Sequence, residues 1–128
     1  MQKEGIRRGQ LSRLRQGLLQ LRDDLGALLE VVLAHDPVVK GTVYALRRRC
    51  GKPTCRCATG ALHETWVLSW SEGGRTRLRV IPAGRLEALR QRTRAYQQLR
   101  GARARLGAIH REMLTLIDQI ERLRRQEP

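Results

Sequence analysis

Three cysteines and a histidine fall within fourteen residues, Cys50-Gly-Lys-Pro-Thr-Cys55-Arg-Cys57-Ala-Thr-Gly-Ala-Leu-His63. Three thiolates and one imidazole form the ligand set of a Cys₃His zinc site, and four ligands close a tetrahedral shell. An odd number of thiols cannot all pair as disulfides within one chain, so a metal is expected in place of cross-links. Three thiolates on Zn²⁺ leave one net negative charge, which Arg47, Arg48, Arg49, Lys52 and Arg56 would offset while lowering the thiol pKa values. No carboxylate pair or second histidine accompanies the cluster to act as a base, so the ion is expected to be structural and not catalytic. The spacing Cys-x4-Cys-x-Cys-x5-His is not a common finger spacing, and it defines ligand type better than geometry. His35 is the reserve fourth ligand, whereas His110 stands far along the second helix.

The chain holds 128 residues, 26 Lys plus Arg against 12 Asp plus Glu, for a formal charge of +14. With no Phe and four Trp and Tyr, it supports one small structural unit and excludes a large catalytic core. The excess charge is concentrated: residues 40–84 carry 9 basic and 2 acidic side chains and residues 85–111 carry 8 and 1, while both ends are near balance. Of the basic residues 23 are Arg, whose planar fork matches phosphate. A concentrated field of this kind makes a docking surface for nucleic acid. A GC-rich genome would favour Arg over Lys, yet it would not remove the acids from 85–111. No apolar run approaches the roughly 18 residues of a membrane span, and the N-terminus lacks the apolar stretch of a secretory signal. A cytoplasmic chain without membrane contact is expected.

Two helices position the cysteine segment. Leu11, Leu14, Leu18, Leu21, Leu25, Leu28 and Val32 recur at alternating steps of three and four, a heptad seam that predicts a helix ending near His35-Asp36-Pro37. The second helix is expected from about Pro82 to Gln126, with Leu99, Ala102, Leu106, Ile109, Met113, Leu116, Ile120 and Leu123 as its seam. Upstream, Leu86, Leu89, Thr93 and Tyr96 join through an extra step of three. Folding back on each other, the helices form an antiparallel hairpin of roughly 30 and 44 residues, or about 45 Å and 66 Å. The stripe Met113, Leu116, Ile120 and Leu123 then overhangs and is expected to mediate homo-oligomerisation, unless Gln2 to Gly9 are also helical and cover part of it. Gly26, Gly101 and Gly107 mark close packing, tolerance or a kink within these helices.

Between the helices the period changes to two. Thr42–Leu46, Trp66–Trp70 and Arg75–Ile81 read as strands of a small antiparallel sheet, with a turn at Ser71-Glu72-Gly73-Gly74. Arg75, Arg77 and Arg79 share one face. Trp66 and Trp70 share a strand face and either form the sheet's core or stack unpaired bases. A sheet this small needs a staple, and the cysteine segment supplies it. The expected architecture is α+β, mainly α: a coiled-coil helix over 1–36, a zinc-binding β module over 37–82 and a long coiled-coil helix over 83–128, together one structural unit.

Gly41-Thr-Val-Tyr44, Cys50-Gly-Lys-Pro-x-Cys55-x-Cys57, Gly60-x-x-His63, the Trp66 strand and Arg75-Thr-Arg-x-x-x-Ile-Pro82 together resemble a family of short bacterial proteins of unknown function. The likeness covers roughly residues 40 to 125. That family is often found beside transposases and on mobile elements, so the resemblance implies this fold and that setting. In the family the histidine is commonly followed by Gly-Pro-Tyr, where this chain has Glu64-Thr65-Trp66. The expected function is a non-catalytic nucleic-acid-binding accessory protein, with DNA ranked ahead of RNA. Arg47, Arg48, Arg49, Lys52, Arg75, Arg77 and Arg79 are its phosphate contacts. The alternative is an adaptor whose coiled coil grips a transposase or recombinase; a thiol switch at Cys55 and Cys57 is a weaker third reading. No serine-protease triad pattern, phosphate-binding glycine loop or His-Glu-x-x-His run suggests an enzyme.

Overall fold

The computed structural model describes residues 2–128. Helix α1 (Gln2–Leu33) is followed by strands β1 (Thr42–Arg48), β2 (His63–Glu72) and β3 (Arg75–Val80), and then by helix α2 (Leu86–Arg124). One-turn 3₁₀ helices occur at Arg56–Ala58 and Ala83–Arg85. The protein is therefore mainly helical, with one three-stranded antiparallel sheet in the order β1-β2-β3. Among the described residues no helix is long and apolar enough to cross a membrane.

The chain divides into two compact units, one joining the N-terminal segment through Ala34 to Leu99–Pro128, the other comprising His35–Gln98. In the first, the heptad positions form the covered face. Leu21, Ala102 and Ile109 are buried, and Leu11, Leu14, Leu18, Leu25, Leu28, Leu99, Leu106, Met113, Leu116, Ile120 and Leu123 are half-buried. Val32 is more exposed, at 41%.

The overhang does not exist. Because α1 begins at Gln2, its early turns meet the end of α2: Gln10, Arg13 and Leu14 line one groove with Gln119, Arg122 and Leu123. Leu116 lies on Gly17, where an added Cβ would stand 3.2 Å from Leu116 Cδ1. Met113, Leu116, Ile120 and Leu123 are therefore half-buried, with Leu116 and Leu123 placed against α1 within the chain. The helix lengths account for the difference, since α1 has 32 residues and α2 has 39 where roughly 30 and 44 were expected.

In the second unit, β2 is the central strand and carries the sheet's core residues Val67 and Leu68. Cross-strand partners share a face, and the register pairs Arg47 with Glu64, Ala45 with Trp66, Val43 with Leu68 and Arg79 with Leu68. Trp70 faces Arg77, and Glu72 faces Arg75. One face thus holds both tryptophans and the whole β3 arginine row. Gly73 and Gly74, both at positive φ (57° and 76°), make the two-residue turn that closes β2 on β3. At the start of β1, Gly41 has φ 144° and an added Cβ would lie 2.7 Å from the Ser69 carbonyl oxygen, so only glycine fits.

Pro82 ends the sheet region, with Ile81 N–H still donating to the Trp66 carbonyl at 2.8 Å. A 3₁₀ turn then leads into α2, which starts four residues after the expected Pro82. The first turns of α2 belong to this unit, and Arg92 accepts a hydrogen bond at its carbonyl from Val39 N–H at 3.1 Å.

Candidate metal centre

The β1/β2 ladder brings the ligands together. Its last pair is Arg48 with His63, so Cys50 follows two residues beyond β1 and His63 opens β2. The intervening segment folds back through a backbone hydrogen bond from Cys55 N–H to the Lys52 carbonyl and through the 3₁₀ turn that contains Cys57. The four donor atoms of Cys50, Cys55, Cys57 and His63 all lie within 4.8 Å of one another. Cys50 Sγ is 3.5 Å from Cys57 Sγ, and Cys55 Sγ is 3.1 Å from His63 Nε2. Ligands at about 2.0–2.3 Å around a tetrahedral ion would stand about 3.3–3.8 Å apart. These two separations are near that spacing, and the four residues could hold a metal ion.

The ligands differ in exposure and acidity. Cys57 is buried, Cys55 is half-buried, and Cys50 and His63 are exposed. Cys55 is held down to about 6, first by the Cys57 backbone N–H and then by the Cys57, His63 and Cys50 side chains. For Cys57 the Cys50 N–H, which donates to Sγ at 3.3 Å, pulls the thiol down, but burial and the Cys50 and Cys55 thiols push it up overall. His63 is raised by its hydrogen bonds to Cys50 and Cys55 and by the charge on Cys55. A divalent cation held there would take Cys55 as thiolate and His63 as neutral imidazole, releasing any protons they carry. His35 and His110 lie outside the cluster.

The expected phosphate contacts divide. Arg75, Arg77 and Arg79 are all exposed along β3, and among the described residues only Arg77 of the three forms an ion pair, 3.8 Å from Glu72. Arg47 forms an exposed ion pair with Glu64 at 3.3 Å. Arg48, Arg49 and Lys52 are exposed around the metal-binding segment. Trp66 and Trp70 are half-buried and not the sheet's core. Each lies beneath an arginine: Arg90 of α2 is 4.3 Å from the Trp66 ring centre, and Arg79 is 5.9 Å from that of Trp70. Sequence reasoning did not single out Arg90, although it stands in the acid-depleted stretch 85–111.

A three-stranded sheet with a Cys₃His cluster at the open end of its first hairpin defines a small module that could hold a metal ion. The chain belongs to the family described as "Domain of unknown function (DUF6788)", whose model matches residues 9–91. That match includes α1 from residue 9 onward and ends in the first turns of α2, in contrast to the likeness over 40 to 125 read from the motifs. No curated protein and no solved structure matches the chain.

Proposed function

We propose that this protein is a non-catalytic nucleic-acid-binding accessory protein, cytoplasmic and associated with a mobile element, that serves transposition or recombination. DNA is preferred over RNA as its target. A structural Zn²⁺ on Cys50, Cys55, Cys57 and His63 fixes the end of the β1/β2 hairpin, because three sulfurs and one nitrogen suit this borderline-soft ion. The two helices act as a coiled-coil hairpin that carries the module. The observation that carries the reading is the row Arg75, Arg77 and Arg79, exposed on one sheet face and nearly free of acidic partners. Three guanidinium groups two residues apart on a strand repeat at about 6.8 Å, close enough to engage neighbouring phosphates.

The adaptor reading, in which the helices grip a transposase or recombinase, is less favoured because the seam it relied on faces α1 within the same chain. Homo-oligomerisation through Met113, Leu116, Ile120 and Leu123 is left out of the proposal for the same reason. The test is a titration of zinc-loaded protein against duplex DNA, single-stranded DNA and RNA at several salt concentrations. Affinity that falls linearly in log–log form with salt supports the reading, and no binding to any of the three at low salt rejects it.

A further inference from the structure

Alongside β1, an open groove of about 580 Å³ is lined by Gly41, Thr42, Val43 and Trp66 on the sheet and by Arg90, Thr93, Arg94, Gln97 and Gln98 on α2. Its volume lies within the roughly 300–1,000 Å³ of ordinary ligand sites. No carboxylate lines it. Arg90 has one distant acidic neighbour, Glu87 at 4.0 Å, and among the described residues Arg94 has no ion pair.

The lining is ordered for a flat, anionic ligand. The Arg90 guanidinium lies over the Trp66 ring at 4.3 Å, which places a planar cation on an aromatic support. The buried Thr93 hydroxyl donates to the Arg90 carbonyl at 3.1 Å and is committed within the helix. The remaining polar side chains of the lining are the exposed Thr42 hydroxyl, the two guanidinium groups, one helical turn apart, and the two carboxamides one turn further on. Arginine planes stack unpaired bases, carboxamides read base edges, and guanidinium groups bind phosphate. In a duplex the bases are stacked inside and cannot enter a groove of this size. A single strand can turn one out.

We propose that this groove binds a nucleotide unit of single-stranded nucleic acid, the base stacked on the outer face of Arg90 and the phosphate on Arg94. The inference rests on the nucleic-acid reading above and adds a second, strand-selective site to the β3 arginine row.

The test measures binding of a labelled oligodeoxythymidine and of a duplex of equal length to zinc-loaded wild type, Arg90→Lys and Arg94→Gln, each checked for folding by its thermal transition. Arg90→Lys keeps the charge and removes the planar stack. It should weaken single-strand binding on the order of fivefold or more while duplex affinity stays within about twofold. The exposed Arg94→Gln should also weaken the single strand more than the duplex, and it supplies the answer if Arg90→Lys does not fold. Excess thymidine monophosphate should not displace the strand; full displacement reassigns the groove to a free nucleotide and overturns the proposal. Unchanged single-strand affinity in both variants, or equal weakening for both targets, also overturns it. If wild type binds no nucleic acid at all, the broader functional reading fails first, an outcome distinct from failure of the groove.

Discussion

Arg48 and His63 face each other as the last pair of the β1/β2 ladder. This pairing sets the candidate metal centre, because it fixes His63 at the start of β2 and places Cys50 two residues past the end of β1. Cys55 and Cys57 then need only a short excursion to converge on them. Metal and ladder are thus coupled: an ion held there clamps the hairpin's open end, and a frayed hairpin would separate the ligands.

Removing the metal should destabilise the sheet unit. Chelation, or Cys57→Ser in the buried ligand, is expected to lower the thermal midpoint by roughly 10 °C or more, the equivalent of at least about 2 kcal/mol in a unit of this size. Elemental analysis of the reduced protein should give one zinc per chain. An identical midpoint with and without zinc would show that the ion is not structural.

In metal-free, reduced protein the Cys55 thiolate should persist at neutral pH and be lost as the pH falls through about 6. A thiol held below its ordinary value contributes stability that is complete above that value and disappears as the pH drops through the lowered one. His63, raised, acts in the opposite sense: its contribution is complete below the ordinary histidine value and is lost as the pH rises through the raised one. Thiolate ultraviolet absorbance in wild type and Cys55→Ala checks the first step, and metal affinity should weaken over the same acid range.

Much of this site was legible from residue types. Cys50, Cys55, Cys57 and His63 were identifiable because few other roles explain three thiols and an imidazole so close together. The strand segments followed from alternation, and both helical seams from their periods. What could not be read was pairing at a distance. Helix α1 has no starting signal strong enough to place its N-terminus, so its reach to Leu123 is hidden in the sequence and a covered stripe reads as an uncovered one. The extension of β1 to Arg48 and of β2 back to His63 depends on the register of a ladder, which local sequence does not state. Arg90 over Trp66 joins two elements that no periodicity connects.

Glycine substitutions should act in opposite directions. Gly41→Ala places a Cβ against the Ser69 carbonyl at a positive φ and should cost about 2 kcal/mol or more. Gly26→Ala and Gly101→Ala, whose new methyl groups meet nothing within 4 Å, should each stabilise by up to about 1 kcal/mol through helix propensity. Denaturant titration of the three variants separates these effects. A destabilised Gly26→Ala or Gly101→Ala would point to close packing, against the open space around both positions.

Because Leu116 lies on Gly17 and Ile109 is fully buried, the α2 seam should contribute to the stability of the isolated chain. Ile109→Ala is expected to cost about 2–5 kcal/mol, with Leu116→Ala toward the lower end because it is only half-buried. Both effects should be independent of protein concentration. A destabilisation that grows on dilution would return these residues to an intermolecular interface.

The most direct test of the proposed function is the salt dependence of duplex DNA binding by wild type and by the Arg75→Ala, Arg77→Ala, Arg79→Ala triple variant. All three side chains are exposed, so the variant should fold, with the thermal midpoint lowered only by the loss of the Arg79–Trp70 and Arg77–Glu72 contacts. The proposed interface predicts weaker binding at moderate salt and a log–log slope shallower by up to about 2.7, near 0.9 for each phosphate that is no longer neutralised. Equal affinity and equal slope in the two proteins would contradict a nucleic-acid interface on this face of the sheet.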